Sequence, residues 1–283
     1  MTTSTEPITE AVLEKEARLK ELLKGRGSVA VAYSGGVDST YLADVAHEVL
    51  GGKAHILLAD SPSIPRSELD EASAFARSRG WVFSIIATDE FENDDFLKND
   101  GRRCYHCRTE LFGKMRRYAE AHGVATLAYG AMADDLLDPT RVGSLAADEL
   151  GVVSPLQEAG LGKEDIRQLS ARRGLPTAGK ASFACLASRV PVGSRVSVGV
   201  LSKVERAEEV LKRLGFHQYR VRHHEAIARI EIAPEDIERI TRPEVREAIV
   251  REVSAVGYRF VTLDLAGYRT GSTARAINPE EST

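Results

Sequence analysis

The feature that most limits what this chain can fold into is the segment 34–40, Ser-Gly-Gly-Val-Asp-Ser-Thr, which we call the phosphate loop. It follows the short apolar run 29–33, typical of a buried strand, and precedes residues with helical apolar spacing. Adjacent glycines let backbone N–H groups approach an anion, and a helix start adds unpaired N–H donors. Because the segment has no Gly-Lys-Ser or Gly-Lys-Thr, it predicts a phosphate site other than a Walker loop.

The first two thirds of the chain alternate between strand and helix patterns. Further strands are predicted at 54–59, 81–87 and 126–129, with helices at 66–79 and 109–122 between them. This alternation favours an α/β fold, in which a doubly wound parallel sheet is covered by helices on both faces.

The pattern changes after about residue 200, where an α+β arrangement begins. The predicted elements are a helix at 201–214, strands at 218–224 and 227–232, a long helix at 234–255 and a strand at 259–265. We therefore divide the chain into an α/β domain and a smaller C-terminal α+β domain. The predicted bounds are 8–196 and 197–273, with flexible termini at 1–7 and 274–283.

The polar side chains of the phosphate loop differ in what they can do to a phosphate. The hydroxyl groups of Ser34 and Ser39 can donate to phosphate oxygens, whereas the carboxylate of Asp38 would repel them. We therefore expect Asp38 to face a magnesium ion or to cap the helix. Asp134 and Asp135, which follow the fourth strand, fit a solvated loop or a substrate or metal role.

Charge and cysteine content narrow the class of protein. The 283-residue chain has a formal net charge of −4, which argues against a surface that grips nucleic acid throughout. No apolar run approaches the length that spans a bilayer. Only three cysteines occur, too few for a disulfide framework, and this predicts a cytoplasmic location.

The placement of the three cysteines suggests chemistry. Cys104 and Cys107 form a C-x-x-C pair ahead of the predicted helix at 109–122, and Cys185 lies in the irregular segment 174–199. A structural zinc site needs four closed ligands, so a histidine such as His106 or His223 would have to join.

A group of arginines in the C-terminal part predicts an anion site. On an extended strand, Arg220 and Arg222 project from the same face, and two guanidinium groups suit a phosphate or a carboxylate. Ser188 and Arg189 could complete the pocket, and Glu231 could orient the arginines. The alternative is a solvated sheet face with paired charges.

The phosphate loop resembles the S-G-G-x-D-S signature of the PP-loop ATP pyrophosphatases. This resemblance implies an adenine nucleotide alpha hydrolase-like fold that cleaves ATP between its α and β phosphates and adenylates a substrate. The segments 130–135 and 138–143 resemble stretches that follow the fourth strand in that superfamily, with substitutions and one extra residue. The resemblance assigns ATP and pyrophosphate contacts to Ala32, Tyr33, Ser34, Gly35, Gly36, Asp38, Ser39, Ser61 and Gly130.

Residues outside the phosphate loop extend the resemblance from about residue 10 to residue 272. The loop 185–189, the strand segment 220–222 and the terminal stretch 267–272 are similar to those of the LarE family. That family implies an ATP- and Mg²⁺-dependent sulfur transferase for the nickel-pincer nucleotide cofactor of lactate racemase. Its members adenylate pyridinium-3,5-biscarboxylic acid mononucleotide and replace AMP with sulfur, with a substrate site here at Ser188, Arg189, Arg220, Arg222 and Glu231.

The LarE resemblance leaves two sulfur sources open. Members with three cysteines hold a 4Fe-4S cluster, and this resemblance implies that Cys104, Cys107 and Cys185 are its ligands. Other members give up the sulfur of one of their own cysteines, which here would be Cys185. Cys185 and Asp38 are therefore the candidate catalytic residues. We also expect a homo-oligomer that works with upstream and downstream enzymes of the same pathway, without nucleic-acid or membrane partners. The alternatives are a tRNA thiolase with a three-cysteine cluster and a non-catalytic adenine-nucleotide sensor.

Overall fold

The computed structural model describes residues 8–137, 143–181 and 184–269. Helices and strands alternate through the first part of the chain. In order they are α1 (Glu10–Arg26), β1 (Val29–Tyr33), α2 (Val37–Leu50), β2 (Ala54–Asp60), α3 (Arg66–Ser78), β3 (Val82–Ala87), α4 (Asp94–Lys98), α5 (Arg103–His122), β4 (Thr126–Tyr129), α6 (Gly143–Glu149), α7 (Pro155–Glu158) and α8 (Lys163–Arg172). The later elements are α9 (Val198–Arg213), β5 (Tyr219–His224), β6 (Ile227–Ile232), α10 (Ile237–Thr241), α11 (Pro243–Ala255) and β7 (Phe260–Leu263).

The described residues form two compact units that are discontinuous in sequence. The first contains 8–61, 66–90, 104–137 and 143–181, and the second contains 62–65, 91–103 and 184–269. The division at 196/197 and the bounds 8–196 and 197–273 therefore stay predictions. The expected flexible termini, 1–7 and 274–283, lie outside the described residues.

The first unit is built on a parallel sheet with the strand order β3-β2-β1-β4. Pairing is parallel at every contact, for example between Val31 and Ile56 and between Val31 and Ala128. A parallel bridge from Ala128 to Val153 extends the sheet past β4. Helices flank this sheet, so the predicted α/β class is confirmed. From β1 the chain adds β2 and β3 on one side and then returns to add β4 on the other side of β1. The direction in which strands are added therefore reverses between β1 and β4. In open α/β sheets such a reversal is where ligands bind, at the carboxyl ends of the strands.

Apolar packing fixes the phosphate loop at that edge. The helix α2 is buried along most of its length, including Tyr41, Leu42 and Val45. Phe112 and Met115 of α5 belong to the same buried apolar cluster as residues of the strands. Because α2 is buried from its first turn onward, the residues of that turn have little freedom to move.

The second unit has a three-stranded sheet with the order β5-β6-β7. The β5–β6 pair is antiparallel and the β6–β7 pair is parallel, as a helical crossover between β6 and β7 allows. Leu211, Phe216, Val221, Ile230 and Val253 belong to its core. This arrangement confirms the predicted α+β character of the C-terminal part.

Two predicted helices were wrong in their extent. The helix expected at 109–122 begins six residues earlier, at Arg103. Its first turns are polar and have no apolar periodicity, so the sequence pattern did not indicate this earlier start. The single helix expected at 234–255 is interrupted before Pro243. Arg242 is extended there, with ψ of 136°, since the residue before a proline avoids the helical region.

Candidate functional site

The phosphate loop forms a tight turn closed by its two serines. The Ser34 amide donates to Ser39 Oγ at 3.1 Å, and the two hydroxyl oxygens lie 3.0 Å apart. Ser39 Oγ also donates to the carbonyl of Gly36 at 3.3 Å. Gly36 precedes the first residue of α2, and no side chain in the described part of the chain caps that helix start. The first-turn amides of α2 are therefore left for an anion.

Two glycines of the site are required by close approach. Gly35 has a φ of +71°, and a Cβ there would lie 2.8 Å from the Cβ of Ala72. Gly130, at the end of β4, has its backbone against the first turn of α2, where a Cβ would lie 3.1 Å from the Ser39 nitrogen. A side chain at either position would push the loop or block the approach to its amides.

A cavity of about 190 Å³ opens over the phosphate loop at the carboxyl ends of β1 and β4. Helix α5 supplies its other wall through Arg108, Leu111 and Phe112. Six residues predicted to contact ATP line this cavity: Ala32, Ser34, Gly36, Asp38, Ser39 and Gly130. The structure thus gathers residues from both strands and from α2 around one space.

Three predicted ATP residues lie outside the lining of that cavity. Gly35 forms the turn, and Tyr33 is buried with its hydroxyl donating to the Ala72 carbonyl at 3.3 Å. Burial raises the pKa of Tyr33 to about 12, so its phenol stays neutral. Ser61, after β2, is buried and donates its hydroxyl to Glu90.

The carboxylate of Asp38 has a partner that sequence reasoning missed. Lys163 Nζ lies 2.9 Å from both Asp38 oxygens. Lys163 is the first residue of α8, and its own amide donates to Asp134 Oδ2 at 2.7 Å. A lysine at a helix start is unfavourable, because its positive charge lies at the positive end of the helix dipole. This unfavourable position was the one feature of the sequence that indicated a separate role for Lys163.

Asp134 and Asp135 are both engaged with backbone groups. Besides the Asp134 contact to Lys163, Asp135 Oδ2 accepts from the Met132 amide at 3.1 Å. These bonds shape the loop after β4. The resembling stretch 138–142 lies outside the described residues.

Magnesium prefers carboxylate oxygens, and of the described cavity-lining residues Asp38 alone offers one, so the donor type fits the ion.

The C-x-x-C pair lies inside a helix rather than ahead of one. Cys104 and Cys107 occupy the first turns of α5, where residues three apart share a face. Cys104 is exposed and Cys107 is half-buried, so both thiols are accessible. The pair therefore fits two adjacent ligand positions. In the described ranges no group of three or more His, Cys, Asp or Glu residues is assembled that could hold a metal ion.

In the second unit, Cys185 directly precedes the short 3-10 helix Leu186–Arg189. Its carbonyl accepts from the Ser188 hydroxyl at 2.8 Å and from Arg189 Nη1 at 3.1 Å. The Cys185 side chain is half-buried. The backbone around this cysteine is thus fixed by the two neighbouring residues that were predicted to bind substrate.

Arg189 is fully buried and paired with Glu208 of α9. Arg189 Nε and Nη2 donate to the two Glu208 oxygens at 2.8 and 3.0 Å, and Glu208 also accepts from the Val221 amide at 2.9 Å. This two-pronged pair anchors the 3-10 helix to β5. Arg189 Nη1 also lies 3.1 Å from Ser188 Oγ, so the serine and arginine are brought together as predicted.

Arg220 and Arg222 lie on the same face of β5, and both are buried. Arg222 donates to Glu231 Oε2 at 2.8 Å and to the Ser188 carbonyl at 3.0 Å. Glu231 also pairs with Arg229 at 3.1 Å, so it orients two arginines. The alternative of a solvated, charge-paired face does not fit the burial of Glu231, which is 0% exposed.

Among the described residues of this buried group, positive charges outnumber negative charges. Three guanidinium groups, from Arg189, Arg220 and Arg222, meet the two carboxylates of Glu208 and Glu231. Burial, followed by repulsion from Arg189, lowers the pKa of Arg220 from its ordinary value. An anion at this place would relieve both effects, because a nearby negative charge favours the charged form of arginine.

In the part of the chain that the structure describes, no helix has the length and apolarity needed to cross a membrane. No protein-family model matches the chain.

Relatives among known proteins span nearly the whole chain. An uncharacterized protein of Synechocystis sp. is 39% identical over 265 residues, which cover 93% of this chain and 98% of that protein. The pyridinium-3,5-bisthiocarboxylic acid mononucleotide synthase of Lactiplantibacillus plantarum is 33% identical over 266 residues, 91% of this chain and 92% of that enzyme. The argininosuccinate synthase of Haloarcula marismortui matches a shorter stretch, at 29% identity over 166 residues, 55% of this chain and 39% of that enzyme.

The two longer matches cover the phosphate loop and the arginine group together, whereas the argininosuccinate synthase match covers about half of the chain. Argininosuccinate synthase is a PP-loop enzyme, and this match agrees with the parallel sheet and the phosphate loop found here. Identity of 33% across more than nine tenths of both chains decides the family. The chain belongs to the LarE family, whose member in Lactiplantibacillus plantarum is a pyridinium-3,5-bisthiocarboxylic acid mononucleotide synthase.

Proposed function

We propose that this chain is an ATP-dependent sulfur transferase that converts the carboxylates of pyridinium-3,5-biscarboxylic acid mononucleotide into thiocarboxylates. The product serves the nickel-pincer nucleotide cofactor of lactate racemase. The observation that carries this proposal is the cavity over the phosphate loop, where the uncapped start of α2 faces the ends of β1 and β4. Such a site binds the phosphates of ATP, and the LarE relationship indicates which acceptor is adenylated.

The first half-reaction forms an acyl-adenylate. A carboxylate oxygen of the substrate attacks the α-phosphorus of ATP, the bond from that phosphorus to the α,β-bridging oxygen breaks, and pyrophosphate leaves with the electron pair. The amides at the start of α2 and the hydroxyl of Ser34 would bind the departing phosphates, and the Ser39 hydroxyl would join them by turning away from the Gly36 carbonyl. Asp38 would hold Mg²⁺, which offsets phosphate charge when bound.

The second half-reaction replaces AMP with sulfur. A sulfur nucleophile attacks the acyl carbon, and the bond to the AMP oxygen breaks. Adenylation makes this possible, because AMP is a far better leaving group than the oxide of a free carboxylate. Repeating both half-reactions on the second carboxylate gives the bis-thiocarboxylate.

Two sulfur sources are consistent with the chain. Cys104, Cys107 and Cys185 would hold a 4Fe-4S cluster whose fourth iron carries an extra sulfide. Alternatively, the Cys185 thiolate attacks the acyl carbon itself. Loss of its α-proton and cleavage of its Cβ–Sγ bond then leave dehydroalanine and release the thiocarboxylate. We favour the cluster, because single-cysteine chemistry gives the accessible pair on α5 no role.

The excess positive charge of the arginine group suits the phosphate of the substrate mononucleotide. Arg220 and Arg222 would contact that phosphate, with Ser188 and Arg189 shaping the pocket and Glu231 orienting Arg222. In this proposal the α/β domain, 8–196, binds ATP, and the α+β domain, 197–273, binds the substrate together with Ser188 and Arg189 from the end of the α/β domain. The enzyme would act as a homo-oligomer beside other enzymes of the same pathway.

One experiment tests the assigned reaction. Protein purified without oxygen is mixed with ATP, Mg²⁺ and the pyridinium mononucleotide, and pyrophosphate release is measured beside reactions with tRNA and without acceptor. We expect release only with the mononucleotide. Release that depends on tRNA would favour the thiolase, and binding of ATP without release in any mixture would favour the sensor.

The same preparation decides the sulfur source. Iron and acid-labile sulfide are measured first, and the intact mass of the protein is compared before and after turnover. Four irons per chain and an unchanged mass support the cluster at Cys104, Cys107 and Cys185. An iron-free protein that loses the mass of H₂S on turnover would establish sacrifice of Cys185.

A further inference from the structure

Arg108 of α5 is a charged residue of the phosphate-loop cavity that has no role in the reaction proposed above. It is half-buried, and its guanidinium carbon lies 5.1 Å from the ring centre of Tyr129, at the end of β4. Its side chain also passes close to Gly143, where a Cβ would lie 2.8 Å from Arg108 Cδ. The aromatic ring and this contact hold the guanidinium against the cavity wall.

The positive charge of Arg108 is not balanced by a negative charge among the described residues that line the cavity, once the pairing of Asp38 with Lys163 is counted. Of the described residues that line it, Arg108 alone carries a positive charge and Asp38 alone a negative one. Asp38 is already paired with Lys163. Within the described ranges no carboxylate or carbonyl accepts a hydrogen bond from Arg108, so its donors are available to an anion in the cavity.

We propose that Arg108 is a catalytic residue that contacts the phosphate chain of ATP at the phosphate-loop cavity and stabilises the charge that forms when pyrophosphate leaves. This inference rests on the proposed use of ATP at that loop. As the α-phosphorus is attacked, negative charge grows on its non-bridging oxygens and on the leaving pyrophosphate. A guanidinium group fixed beside them offers two N–H donors to phosphate oxygens and costs little reorganisation.

The position of Arg108 on α5 also connects the two half-reactions. Cys104 and Arg108 are four residues apart and Cys107 is three from Cys104, so all three share one helix face. Residues at this spacing have Cβ atoms about 5–6 Å apart. The helix that carries the thiol pair therefore also carries the phosphate contact, so one rigid element holds both groups.

The first test uses inorganic pyrophosphate as the probe, because it needs no acceptor. Binding of pyrophosphate with Mg²⁺ is measured by calorimetry for the unmodified protein, Arg108→Ala, Arg108→Lys and the matched control Arg117→Ala, an exposed arginine of the same helix. We expect binding about tenfold weaker in R108A, partial recovery in R108K and no change in R117A. Equal binding in R108A and R117A would overturn the proposal. If pyrophosphate binding depends on Arg108 while the pyridinium acceptor fails to react, only the assigned acceptor is wrong.

The second test measures a direct contact during turnover. Pyrophosphate release is compared for ATP and for each diastereomer of α-thio-ATP, in which sulfur replaces one non-bridging oxygen. We expect R108A to lower kcat about 100-fold and to lose the rate difference that one diastereomer causes in the unmodified enzyme. A merely structural loss would lower the rate but leave that difference intact, and this result would contradict a catalytic role.

Discussion

Lys163 at the start of α8 holds both carboxylate oxygens of Asp38 in the first turn of α2, with Nζ 2.9 Å from each. The pair joins residues 125 positions apart in sequence. It places a cation beside the one carboxylate that lines the phosphate-loop cavity among the described residues. Asp38 can therefore lie close to phosphates before any metal ion is bound, because its charge is already offset.

Loss of Lys163 should weaken ATP binding. In Lys163→Ala only bound Mg²⁺ would offset the charge of the Asp38 carboxylate next to the phosphates, so we expect the KM for ATP to rise about tenfold and kcat to change less. Lys163→Arg should keep most of the affinity. Lys15→Ala is the matched control, since Lys15 pairs with Asp165 of the same helix at 2.7 Å but lines no part of the cavity. Equal KM values for K163A and K15A would contradict this role.

The turn at Gly35 should not accept a side chain. Gly35→Ala combines a φ of +71° with a 2.8 Å approach to the Ala72 Cβ, so we expect a loss of roughly 1–3 kcal/mol in the free energy of unfolding, with pyrophosphate binding impaired. Gly25→Ala in α1 is the control. A Cβ added at Gly25 would meet no atom of the described residues within 4 Å, and alanine there should stabilise the helix by about 0.5–1 kcal/mol. Urea unfolding checks both variants.

The buried Arg189–Glu208 pair should dominate stability in the second unit. Glu208→Gln removes the charge that compensates fully buried Arg189, and we expect about 3–5 kcal/mol of destabilisation. Glu209→Gln, at the exposed neighbouring position of α9, should change little. The measurement is urea unfolding of both variants. A loss below about 1 kcal/mol for E208Q would contradict the pairing.

Histidines of the second unit should make stability depend on pH. Burial, then repulsion from Lys203 and His224, lowers the pKa of His223 below its usual 6.5. The unfolded chain therefore binds a proton at higher pH than the folded chain, so the free energy of unfolding should fall as pH drops below about 6.5 and level off below the folded pKa.

His223→Gln should flatten that part of the pH profile, and the exposed His217→Gln should leave it unchanged. Urea unfolding at a series of pH values between neutral and mildly acidic measures both variants. A profile for H223Q as steep as that of the unmodified protein would show that another group titrates.

Sequence reasoning predicted the elements whose pattern is local. The apolar run 29–33 and the phosphate loop were enough for the strand, the turn and the start of α2. The arginine pair on β5 followed from strand alternation. Contacts formed by distant residues were not predictable in this way. Lys163 reaches Asp38, and Arg108 reaches the cavity, only because the parallel sheet brings their helices to one edge. The polar first turns of α5 have no apolar period, so its true start was hidden.

The central claim is that this chain activates a carboxylate with ATP and replaces its oxygen with sulfur. The direct measurement is the mass spectrum of the pyridinium mononucleotide after incubation with the anaerobically purified protein, ATP and Mg²⁺, beside a reaction with Asp38→Asn. We expect products in which one and then two oxygens are replaced by sulfur, together with AMP and pyrophosphate, and little product from D38N. An unchanged mononucleotide in the presence of a protein that still binds pyrophosphate would contradict it.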